Sequence, residues 1–222
     1  MAHRLVQRDL VVLVALLLTA GAGCSNSTTG SPSAATHPVS AAPKPAGGGI
    51  PMGPGPQHPY TVQTQPSAGS CRYRHTSDGQ PLPDTSCTPG ALNPDVTQAT
   101  LTTTICRPNG YTRGIRPPAD VTSAEKRANA GSYGFTGSLH DAEYDHLISL
   151  ELGGDPNDSR NLWVEPPSPG HTPGSGPNNP KDTVENDLHK AICAGKVTLS
   201  AAQQAIAADW TTAESGLGLP RS

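Results

Sequence analysis

Glu143-Tyr-Asp-His-Leu-Ile-Ser-Leu-Glu-Leu152, then the turn-rich Gly153-Gly-Asp-Pro-Asn-Asp158, then the short piece Asn161-Leu-Trp-Val164, is the stretch whose reading decides the fold. Its outer parts carry the aromatic and branched apolar residues that suit a pleated, half-buried surface, and its middle is too rich in Gly, Asp, Asn and Pro to continue a strand. The reading is a β-hairpin with a long connection. A Pro/Gly/Ser-rich insert from Glu165 to Pro177 follows, containing His171. Asn179-Pro-Lys-Asp182 then offers an N-cap, a proline suited to the first helical position and an acid in the first turn. A helix is predicted over 180–194, with Val184, Leu188, Ala191 and Ile192 recurring at helical spacing and Gly195 placed to end it.

Upstream of the hairpin, Thr122-Ser-Ala-Glu125 reads as a capping box that opens a short helix closed by Gly131. Before it, the β-branched run from Val96 to Cys106 predicts an extended segment. Downstream, Ser200-Ala-Ala-Gln203 is a second capping box, opening an amphipathic helix that continues through Ile206 and Trp210. Short helix, hairpin, helix, helix is the order of an α+β domain.

The rest of the chain is built differently. With 24 Gly, 24 Pro and 4% aromatic residues in 222, much of it cannot pack a core, so one modest domain is expected. A basic start, an apolar run from Leu10 to Ala20 and small residues before Cys24 read as an export signal over 1–24. The run is too short to span a bilayer comfortably. The small residues before Cys24 resemble the lipobox of bacterial lipoproteins, although Gly21 stands where that motif has a larger apolar residue. The resemblance implies a lipid anchor at Cys24, on the outer face of the membrane; ordinary signal cleavage, giving a secreted protein, is the alternative. Residues 25–70, mostly Ser, Thr, Ala, Pro and Gly, read as a disordered tether, leaving 71–222 as the domain. Cys71, Cys87, Cys106 and Cys193 then remain as an even number in an exported chain, which predicts two disulfides. Three connectivities are open, with Cys71–Cys87 as a local loop and Cys106–Cys193 as a long clasp preferred.

The chemistry concentrates at Asp145-His146. An imidazole with an ordinary pKa near 6.5 is largely neutral at pH 7 and can take a proton from water, while a hard divalent cation prefers carboxylate oxygen. Together they suit phosphodiester hydrolysis, which needs a base for water and a cation to neutralise charge. On the predicted helix, a turn of about 100° per residue puts His189 at the margin of the apolar face and Asn186 nearly opposite it.

Asp145-His-Leu-Ile, Leu152-Gly-Gly, Asn161-Leu-Trp and a helix carrying His189 occur in the order found in HNH endonucleases of the ββα-metal superfamily, which this region resembles over about Tyr144 to Ile192. More narrowly, Cys87-Thr-Pro-Gly, Gly110-Tyr-Thr and Arg116-Pro-Pro, with Asp145-His-Leu-Ile, look like a group of small exported bacterial proteins with an HNH-like C-terminal region. The resemblance implies a metal-dependent nuclease on a ββα-metal fold. His146 would be the general base, and Asn161 would tie the hairpin loop and orient the imidazole. Asp145 and His189 would hold one divalent ion, Mg²⁺ first and Mn²⁺ or Zn²⁺ otherwise, with Asn186 as the reserve ligand. Arg116, Arg160, Lys181 and Lys190 are the candidate phosphate contacts on a DNA or RNA substrate. Ser149 departs from the Pro of many HNH motifs, and the insert before the helix is long.

A net charge of -3 excludes a uniformly basic nucleic-acid-binding surface and leaves room only for a local basic groove. In a regular strand, moreover, Asp145 and His146 point to opposite faces, so both reach one metal only where the strand bulges or twists. The alternative function is a surface lipoprotein that uses an inactive HNH-like fold as a binding module. His75, His140 and His171 lie in loop-like sequence and are assigned no role.

Overall fold

A computed structural model describes residues 49–221; the expected export signal, Cys24 and residues 25–48 of the expected tether lie outside the described residues. Within them the chain forms four helices and two antiparallel two-stranded sheets, an α+β arrangement closed by two disulfides. The small sheet pairs β1 (Arg74–His75) with β2 (Pro81–Leu82). α1 (Ala119–Tyr133) precedes the second hairpin, β3 (Glu143–His146) and β4 (Leu162–Glu165). α2 (Lys181–Cys193), α3 (Leu199–Ala208) and the single turn α4 (Ala213–Gly216) complete the chain.

The predicted hairpin forms with a shorter first strand. β3 ends at His146, and Leu150–Leu152 coils into a 3-10 turn, capped by Gly153 in the left-handed region at φ 77°. Gly154 serves a different need, because a Cβ there would lie 1.7 Å from the Ile148 carbonyl oxygen. The Gly-Gly pair thus lets the connection fold back on itself.

α2 matches the predicted helix within a residue at each end, with the Asn179 side chain accepting from the Lys181 amide at 3.0 Å. Leu188 and Ile192 pack with Leu147, Ile148, Leu152 and the α3 residues Leu199, Ala202 and Ile206 in the main core. Each such side chain contributes about 1.5–3 kcal/mol when fully buried, which is what holds α2 down on the hairpin connection. On the other side, α1 covers β4, where the Asn129 side chain accepts from the Val164 amide at 2.8 Å and Ala130 packs on Val164.

Several expected boundaries move. α1 begins three residues before Thr122, so the Thr122–Glu125 box caps nothing, and it runs through Gly131 to Gly134, which has the left-handed φ of 62°. The cap of α3 is Thr198, whose hydroxyl accepts from the Ala201 amide, while Gln203 reaches instead to the Leu152 carbonyl at 2.8 Å. The run from Val96 to Cys106 is not a strand. Its threonines bond locally, Thr100 Oγ1 to the Asp95 carbonyl and Thr104 Oγ1 to that of Thr100, and the chain coils into a 3-10 turn at Leu101–Thr103. Such bonds offer the backbone a partner other than a sheet ladder.

The expected tether also ends early. Residues 50–70 lie along the domain as a strap, with the Gly53 amide on the Leu92 carbonyl at 2.8 Å and the Gly55 amide on Asp155 Oδ2 at 2.7 Å. Further on, the Gln63 amide donates to Glu125 and Asn157 donates to the Thr61 carbonyl. Composition hid this because most of the strap's bonds use backbone groups, which Pro/Gly-rich sequence also possesses, with the Tyr60 and Gln65 side chains adding to them.

Candidate functional site

The centre is assembled from β3, β4, the connection between them and the first two turns of α2. The ladder is unbroken, with Tyr144 opposite Val164, Asp145 opposite Trp163 and His146 opposite Leu162. Alternation therefore sends Asp145 to the face that carries Trp163 and Glu165, and His146 to the other. No bulge turns the two onto a common ligand.

His146 is almost wholly buried, 8% exposed, and its Nε2 donates to the Pro156 carbonyl at 3.0 Å. Burial first, and then the charges of Arg116 and Lys181, pull its pKa down to about 4, against the opposing effects of the Pro156 bond and Asp145. The ring is neutral at pH 7. Because a carbonyl can only accept, the proton sits on Nε2 and Nδ1 keeps its lone pair, with no hydrogen bond among the described residues.

Asn161 fixes the loop that supplies that carbonyl. Its Nδ2 donates to the carbonyls of Ile148 and Asp155, both at 3.0 Å, and its Oδ1 accepts from the Ile148 amide at 3.1 Å. Asp155 in turn caps the amides of Asn157 and Asp158 and holds the strap at Gly55. The expected link from Asn161 to the imidazole therefore runs through the loop backbone and Pro156 rather than by direct contact.

The other face holds a buried charge cluster. Lys181, fully buried, donates to Asp145 Oδ2 at 2.9 Å, to the His146 carbonyl at 2.9 Å and to Glu185 Oε1. All three ammonium protons are thereby used. Burial pulls the Lys181 pKa down, but Asp145, Glu185 and Glu165 outweigh it and hold the group charged, above its ordinary range. Trp163 Nε1 adds a fourth contact to the cluster, donating to Asp145 Oδ2 at 3.1 Å. Glu165 sits beside Asp145, 2% exposed, and burial, with Asp145 next, raises its pKa well above the carboxylate range.

The remaining candidates do not converge here. His189 Nε2 donates to the Ile105 carbonyl at 2.9 Å and its Nδ1 lies 3.9 Å from Glu151, so it faces the long clasp. Asn186 is exposed and returns its amide to the Asp182 carbonyl. The divalent site expected from Asp145, His189 and Asn186 is not formed, since Asp145 already carries an ammonium and the helix ligands point elsewhere. His189 does lie with Cys106 and Cys193 in a cluster whose ligand atoms are within 4.8 Å of one another. The two sulfurs are joined in a disulfide and offer no thiolate to a metal.

Of the phosphate candidates, Arg160 is forked onto Asp158 and Lys190 pairs with Asp187 at 2.7 Å, while Lys181 is sealed inside. Arg116 differs. It is exposed, makes no hydrogen bond or ion pair among the described residues, and lies near enough to His146 for its charge to add to burial in lowering that pKa; burial and Asp145 raise the pKa of Asp182, with Lys181 and Arg116 opposing them.

The sequence names Lys181 only as a phosphate contact, not as the hub of the centre, and does not single out Glu165, Glu185 or Trp163. The available signal for Lys181 was its position, within about 20° of both Leu188 and Ile192 around the helix, in the middle of the apolar stripe. Comparison with protein-family models, with curated proteins and with solved structures finds no match to this chain.

Proposed function

We propose that this chain is an exported phosphodiester hydrolase of nucleic acid, built on an HNH-like hairpin and helix, in which His146 takes the proton from the attacking water. The observation that carries the reading is the imidazole, neutral and oriented through Nε2 by Pro156, with the Nδ1 lone pair free. A water at Nδ1 loses its proton to the ring as its oxygen attacks phosphorus, and the bond from phosphorus to the leaving ester oxygen breaks. That oxygen takes a proton from solvent. Arg116 is the cation placed to face the phosphate charge. A ring with so low a pKa is a weak base, which slows proton transfer but keeps it ready in mildly acidic media. No step passes through a divalent ion, because the expected ligands do not fit one.

The two disulfides fit an oxidising, extracytoplasmic compartment, and no helix among the described residues is long and apolar enough to cross a membrane. A lipid anchor at Cys24 is the proposed attachment. The second reading is a binding module without turnover, favoured by the engagement of Asp145 with Lys181.

Purified protein incubated with plasmid DNA and with RNA, in chelator and in Mg²⁺, Mn²⁺ or Zn²⁺, tests the choice. Hydrolysis that falls by about 10²-fold or more in His146→Ala supports the enzyme. Binding of nucleic acid without cleavage supports the module, and cleavage unaffected by His146→Ala sinks the mechanism.

A further inference from the structure

Two side chains one turn apart on α2, His189 and Cys193, meet Cys106 from the segment after the Leu101–Thr103 turn. One nitrogen and two sulfurs there lie within 4.8 Å of one another, the one set of three His, Cys, Asp or Glu ligand atoms so close among the described residues. The backbone holds these donors in place. The Cys106 amide donates to the Leu101 carbonyl at 2.8 Å, and His189 Nε2 donates to the Ile105 carbonyl, which leaves the lone pair on Nδ1. Nδ1 is not engaged, because Glu151 Oε2 stands 3.9 Å away, beyond hydrogen-bond distance. A backbone carbonyl on one ring nitrogen is the usual way a metal-binding imidazole is oriented. In a tetrahedral zinc site, with Zn–S of about 2.3 Å and Zn–N of about 2.0–2.1 Å, neighbouring donors stand about 3.3–3.8 Å apart, inside the 4.8 Å that already encloses this set.

What closes the site is the bond between its own sulfurs, and access to that bond sets the two disulfides apart. Cys193 is exposed and Cys106 half-buried, whereas Cys71 is 0% exposed and packs with Tyr133 and Trp163. A reductant therefore reaches the long clasp first. We infer that Cys106, His189 and Cys193 form a redox-gated zinc site, in which a dithiol reductant opens the disulfide and Zn²⁺ then takes two thiolates and the imidazole, with water in the fourth position. The dithiol supplies two electrons and two protons and is itself oxidised to a disulfide; zinc binding then releases both thiol protons to solvent. Thiolate and imidazole donors select zinc over the harder Mg²⁺. The ion exchanges a covalent clasp for a coordinate one between the same residues, so α2 stays tied to the segment before Cys106 under reducing conditions. This site is separate from His146, and its test uses no substrate.

The whole purified protein is compared oxidised and after reduction, without denaturant, by a phosphine, which unlike a dithiol offers zinc no thiolate. Zn²⁺ binding is read by competition with a chromophoric chelator, Co²⁺ in its place reports thiolate ligation by charge-transfer absorption, and alkylation with mass mapping shows which cysteines have opened. The reduced form is expected to bind one Zn²⁺ at least about 100-fold more tightly than the oxidised form, and His189→Ala to weaken that binding at least about tenfold. Equal zinc affinity in the two redox forms overturns the inference. So does a folded His189→Ala protein that binds as tightly as wild type, Co²⁺ bound without thiolate charge transfer, or alkylation confined to Cys71 and Cys87. Where reduction unfolds the chain, Zn²⁺ is expected to restore the helical circular dichroism, and unfolding that the metal does not reverse overturns the inference equally.

Discussion

His146 is held neutral by its surroundings, and that has a thermodynamic signature apart from any catalysis. Its folded pKa of about 4 lies below the ordinary value near 6.5, so between these pH values the unfolded chain binds a proton that the folded chain refuses. The associated stability is fully present above pH 6.5 and is lost as pH falls towards 4, by about 1.4 kcal/mol per unit and about 3 kcal/mol in all. Urea unfolding of wild type and His146→Gln at pH 7, 5.5 and 4.5 isolates this contribution, because the other titrating groups are common to both. Equal pH slopes would show that the ring titrates freely. At this scale the places of Asp145, His146 and Asn161 in the hairpin were legible from residue type and order, whereas the metal-ligand role expected of Asp145 was not, since that carboxylate is engaged by Lys181. The partnership of Lys181 was not. A lysine beside an aspartate in sequence reads as a solvated charge, and only its register with Leu188 and Ile192 distinguishes a lysine taken into the interior.

Among the elements, the strap over residues 50–70 carries the largest departure from expectation. It donates to Asp155 and Glu125 and accepts from Asn157 through the Thr61 carbonyl, and its Gln65 side chain accepts from Asn129. Stripping it away would leave those buried side chains short of partners, at about 1–3 kcal/mol each before relaxation. A protein beginning at Ser67 is therefore expected to lose about 3–5 kcal/mol in denaturant unfolding relative to the whole chain, while retaining the far-ultraviolet signal of α2 and α3. An unchanged midpoint would show that the strap lies on the domain without bracing it. Hairpin and α2 were readable because periodicity and turn chemistry agreed there. Residues 96–106 were not, because threonine favours a strand only where a ladder outcompetes its own short-range bonds.

Across the whole molecule, both preferred disulfides form, Cys71–Cys87 across 16 residues and Cys106–Cys193 across 87. Even cysteine number and an export signal suggested two bonds, while the choice among three pairings needed the fold, which brings the last turn of α2 beside the segment after Leu101. Loop-closure entropy makes the longer one worth more, about 4.5 kcal/mol against about 3 kcal/mol. Replacing both cysteines of each pair by alanine should therefore lower the unfolding midpoint further for Cys106/Cys193 than for Cys71/Cys87, and the reverse order would indicate that unfolded-state structure dominates. The longer bond has another result. α1, the hairpin, the exposed insert before α2 and nearly all of α2 lie within the covalent ring that Cys106 and Cys193 close. A protease that nicks the backbone anywhere inside that circuit opens the ring without releasing a fragment, so the pieces carrying His146 and Lys181 stay attached until a reductant arrives.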